Sequence, residues 1–152
     1  MVIEICQAII EKLEENEVLT DLLGADERIY YADPDDDPGF AASDAYVIVY
    51  EGDEGYTEEY VNEPEEIALP DQEVLFIAVA KTALKSGLIR DHLREILFGR
   101  EFETTNYAVR QVEYSGSVPI ANEEKKDRRK RRGLRIVLKG QYRKTERDLN
   151  DW

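Results

Sequence analysis

Two segments constrain this chain more than any other feature: Ala45–Tyr50 (AYVIVY) and Glu73–Ala80 (EVLFIAVA). Both are dense in β-branched and aromatic or other apolar residues, the composition of strands. The first has no polar alternation at all, so neither of its faces is suited to water. It predicts a central strand covered on both sides, with Glu73–Ala80 as a second buried strand.

The segments around these two supply the rest of an architecture. Val2, Ile5, Cys6, Ile9, Ile10 and Leu13 recur at three- and four-residue spacing and predict an amphipathic N-terminal helix. Asn16 ends that helix or caps the next turn, and Glu17–Leu23 reads as a short second helix closed by Gly24. Thr82–Phe98 predicts the main helix, with Leu84, Leu88, Ile89, Leu93, Ile96 and Leu97 on one side and Gly99 as its stop. Gly87 weakens its first part by about 1 kcal/mol relative to Ala and moves the expected start toward Leu88. Arg28–Tyr31, Tyr107–Tyr114 and Gly133–Arg143 are further strands. In the last of these Leu134, Ile136 and Leu138 alternate with Arg135, Val137 and Lys139. DPDDDPG at 33–39, the polar stretch 51–66 and Ser115–Lys130 read as loops, with Tyr56, Tyr60 and Val61 in an exposed hairpin arm.

The helices are too few to alternate with every strand. The expected fold class is therefore α+β: a mixed, mainly antiparallel β-sheet with two main α-helices packed on one face, plus long charged loops. At 152 residues the chain suits one domain with its own core, assigned to 1–143 with a C-terminal tail at 144–152. The tail stays loose unless Leu149 and Trp152 find a partner surface. The N-terminus has acids at positions 4 and 11 and no basic leader, so no signal peptide is expected. No apolar run reaches the ~20 residues of a membrane span, so no membrane partner is expected.

Charge is distributed in blocks. The net charge is −14, from 34 acids against 20 bases. Lys125–Arg132 (KKDRRKRR) nonetheless carries +6, which leaves −20 on everything else. Between Arg28 and Lys81 lie 52 residues with fifteen acids and no Lys or Arg. Such blocks pair within the chain, pair between copies, or remain two solvated loops that never meet. Exposed ion pairs contribute only about 0–1 kcal/mol each, so charge of this kind guides assembly rather than holding it.

Few constellations point to chemistry. Asp33, Asp35, Asp37 and Asp44 fall at positions one, three, five and twelve of an EF-hand-like spacing, but Pro38 stands where the sharp turn requires Gly. A solvated acidic loop is the better reading of that stretch. His92 lacks a second ligand or a nucleophile, and Cys6 lies on the apolar face of the first helix as a core residue. With one Cys and one His no zinc site or disulfide framework is built within one chain. There is no nucleophile elbow, HExxH, phosphate loop or GxGxxG. Neither an enzyme nor a cofactor is expected.

The order of elements resembles the tail-terminator, or tail-completion, proteins of the head–tail neck in long-tailed phages and related viruses. The resemblance rests on Val18-Leu19-Thr20-Asp21-Leu22-Leu23-Gly24 followed by Arg28-Ile29-Tyr30, then Ala45-Tyr46-Val47-Ile48-Val49. It continues through Val74–Lys81 into Leu84–Phe98 and ends with Val109–Tyr114 and Gly133–Arg143, spanning most of residues 1–143. The acidic stretch 51–73 and the loop 115–132 are richer in charge than that pattern.

The resemblance implies a virion structural protein assembled in the host cytoplasm. It implies a ring, typically of six subunits, that caps the tail tube and joins it to a head-side connector or stopper. DNA would slide through a negative lumen without specific binding. The candidate inter-subunit contact pairs Lys125, Lys126, Arg128, Arg129, Lys130, Arg131 and Arg132 with Glu58, Glu59, Glu63, Glu65 and Glu66. Alternative readings are another neck component, such as a head-completion or adaptor protein, or a small nucleic-acid-binding protein using loop 125–132. A further alternative is a host-directed adaptor or acidic DNA mimic using residues 51–73.

Overall fold

The computed structural model describes residues 2–24, 28–31, 45–54, 66–120 and 130–144. In chain order these are α1 (Ile3–Glu14), α2 (Glu17–Leu23), β1 (Ile29–Tyr31), β2 (Ala45–Glu54), β3 (Glu66–Ala68), β4 (Gln72–Ala80), α3 (Ala83–Leu97), β5 (Phe102–Glu103), β6 (Tyr107–Ile120) and β7 (Lys130–Lys144). The strands form one sheet in the order β1-β2-β4-β7-β6-β5, with β3 pairing to β7. β1 runs parallel to β2, and the other pairings are antiparallel. The fold is α+β, as the element order requires.

β2 and β4 occupy the middle because their side chains leave no face for water. Every residue from Ala45 to Tyr50 is buried. The pleat then splits them. Ala45, Val47 and Val49 join Val74, Phe76, Ala78 and Ala80 under the helices, while Tyr46, Ile48, Tyr50, Ile77 and Val79 form a second cluster on the opposite face. All three helices cover the first face, through Ile5, Ile9 and Leu13 of α1, Leu19 and Leu23 of α2, and Ile89, Leu93, Ile96 and Leu97 of α3.

The helix ends are built as the residues dictate. The Asn16 side chain accepts a hydrogen bond from the Leu19 amide at 3.0 Å, which caps α2. Gly24 takes the left-handed conformation at its other end (φ 85°), and the Arg28 guanidinium donates to the Leu23 carbonyl at 2.8 Å. Thr82 caps α3 through the Lys85 amide, so the helix begins at Ala83 despite Gly87.

Three expectations are corrected. The buried face of α3 is Ser86, Ile89, Leu93, Ile96 and Leu97, whereas Leu84 is 76% exposed and Leu88 43% exposed. Leu84 lies five residues before Ile89, about 140° around the helix, too far to share the stripe that meets the sheet. Second, residues 115–120 and 130–132 are strand rather than loop. The ladder continues past Tyr114 with a register shift before Gly116 and pairs Gly116 through Ile120 with Arg135 through Arg131. A bulge inserts one unpaired residue, which breaks the two-residue period by which a strand is recognised in sequence. Third, β3 and β5 are too short for any alternation to show, and β7 extends to Lys144, one residue beyond the expected end of the last strand at Arg143. The proposed arm at Tyr56, Tyr60 and Val61, the loop 33–39, and the tail residues Leu149 and Trp152 lie outside the described residues.

Glu4 fastens α1 to the turn before β6. It accepts hydrogen bonds from the Thr104 hydroxyl at 2.6 Å, the Asn106 amide at 3.2 Å and the Asn106 side chain at 3.0 Å. The Thr104 bond, joined by those from Asn106, holds the Glu4 carboxyl below its ordinary value of 4.5 against an opposing desolvation effect. A depressed carboxylate adds stability above its unfolded value and loses it as pH falls through the folded one. The melting-temperature advantage of wild type over Glu4→Gln is therefore expected at neutral pH and should shrink below pH 4.5, which parallel thermal melts at several pH values would measure. The helix phase gives a second test by denaturant unfolding. Leu93→Ala should cost about 2–5 kcal/mol and Leu88→Ala less than about 1 kcal/mol.

Candidate functional site

The chain's charge blocks are the candidate site, and the sheet decides what they meet. Lys130, Arg131 and Arg132 open β7 and pair with Ala80, Val79 and Ala78 of β4. Ala80 in turn pairs with Ala45, so Ala45, Ala80 and Lys130 form one row at one end of the sheet. The pleat divides these cations. Lys130 and Arg132 share the helix face with Ala80 and Ala78, while Arg131 shares the opposite face with Val79. The basic run is therefore not wholly a loop tip.

Glu66 opens β3 opposite Lys144, at the other end of β7 from Lys130. Glu51, exposed near the end of β2, aligns through Val74 with Ile136. Arg132 lies four residues from that row, about 13 Å along the strand, and two strands across, about 10 Å. Both separations exceed the Debye length of about 8 Å at physiological ionic strength. Along the sheet, Glu51 and Glu66 thus stand farther than a Debye length from Lys130 and Arg132 at the start of β7. Lys125, Lys126, Arg128, Arg129, Glu58, Glu59, Glu63 and Glu65 lie outside the described residues, as do Asp33, Asp35, Asp37 and Asp44.

Internal pairing does occur, but through other cations of the same strand. On the face away from the helices, Arg135 Nε stands 3.0 Å from Glu73 Oε1 and Lys139 Nζ stands 3.3 Å from Asp71 Oδ2. The Asp71 side chain is only 5% exposed and also accepts from the Gly140 amide at 3.3 Å. Beside it the Gln141 side chain donates to the Pro70 carbonyl at 2.8 Å, which ties the β3–β4 corner to β7. Gly140 has φ 62°, and a Cβ there would meet the Arg110 side chain at 2.9 Å. Sequence reasoning passed over Arg135 and Lys139. Their signal was only an alternation with Val137 that any solvated strand face would show.

The remaining candidates fall into structural places. Cys6 is buried in α1, and burial, aided by the Glu51 carboxylate, pushes its thiol up to about 11, far from a reactive thiolate. His92 lies on α3 with Nδ1 3.7 Å from Glu95, a surface contact of one helical turn. Among the described residues no group of three or more His, Cys, Asp or Glu is placed to hold a metal ion. No described helix is long and apolar enough to cross a membrane.

Burial separates the two ion pairs energetically. Lys139→Met should cost about 3 kcal/mol, because Asp71 is left as a nearly buried carboxylate without its cation. Arg135→Met, at a half-exposed pair, should cost no more than about 1 kcal/mol, with urea unfolding of both variants as the measurement.

Comparison with known proteins gives no matching family model and no matching curated protein. The chain is similar in fold to a chain of a solved structure described as the virion of a native gene transfer agent (GTA) particle. The match has a TM-score of 0.62 and 15% identity, and covers 90% of this chain and 92% of that one.

Proposed function

We propose that this protein is a virion structural protein, and specifically a ring-forming tail terminator that caps the tail tube and joins it to the head-side connector. The observation that carries the reading is the likeness to a chain of a gene transfer agent virion over nearly the full length of both chains. A partial match would reflect a shared substructure. Correspondence across 90% and 92% relates the whole architecture to a chain taken from an assembled particle. The resemblance of Leu22-Leu23-Gly24 and Arg28-Ile29-Tyr30 to the terminator pattern supports the narrower role.

The electrostatics agree with that role. A net charge of −14 repels nucleic acid over most of the surface, which suits a ring through which DNA slides without binding. Self-association sets the ring, the tube protein and the connector meet its two faces, and no step needs a catalytic residue. The six-fold count is taken from the family pattern. A closed ring requires a heterologous interface repeated around an axis.

Negative-stain electron microscopy and native mass spectrometry of the purified protein test this directly. Rings with a central hole and a single subunit number, six, are the expected result. A protein that stays monomeric at every concentration would overturn the ring reading. Salt-sensitive binding to DNA in place of rings would favour the nucleic-acid alternative.

A further inference from the structure

We draw no further inference here: the strongest candidate, the apolar surface patch of Leu84 and Leu88 on the outer side of α3, is exposed and nothing in the structure shows what covers it.

Discussion

The antiparallel ladder of β2, β4 and β7 is the constraint on which the rest of the structure depends. β4 sits between the other two and pairs along nearly its whole length with each. It is hydrogen-bonded to a strand on each side, and from Val74 to Ala80 its side chains are apolar on both faces. Helices must therefore cover one face, and the other must bury Tyr46, Ile48 and Val79 as well. The register of this ladder also sets every charge position that matters for function. A slip of one residue would exchange the faces of Lys130, Arg131 and Arg132.

The same ladder shows how one small sheet keeps opposite charges apart. Two pairings, Glu73 with Arg135 and Asp71 with Lys139, join β4 and the corner before it to β7. Asp71 is nearly buried, so its pairing with Lys139 is structural and resists screening. The charges at the two ends of β7 stand more than a Debye length from one another along the strands. An assembly that uses them works through geometry first and charge second, because exposed pairs contribute little energy while like-charge contacts exclude wrong arrangements.

The exposed leucines of α3 belong to this division between core and surface. In sequence, Leu84 and Leu88 are indistinguishable from Leu93, since all fit an apolar helix. In the fold, Ser86 takes the place against the sheet by donating to the Ala78 carbonyl, which turns both leucines outward. A buried serine satisfied by one backbone carbonyl costs little, and it sets the rotation of the helix.

The apolar strands, the helix caps at Asn16 and Gly24, and the α+β class were legible from residues alone, because local chemistry determines them: β-branched runs, a side-chain acceptor, a left-handed glycine. The charge blocks were legible too, but not their partners. A two-residue period lost at the bulge hid residues 115–120 and 130–132 as strand, and so misplaced three of the seven cations of the basic run. Which charges pair, which face of α3 meets water and which ends lie apart are long-range matters. They follow from the register of strands distant in sequence, and only the tertiary structure sets that register.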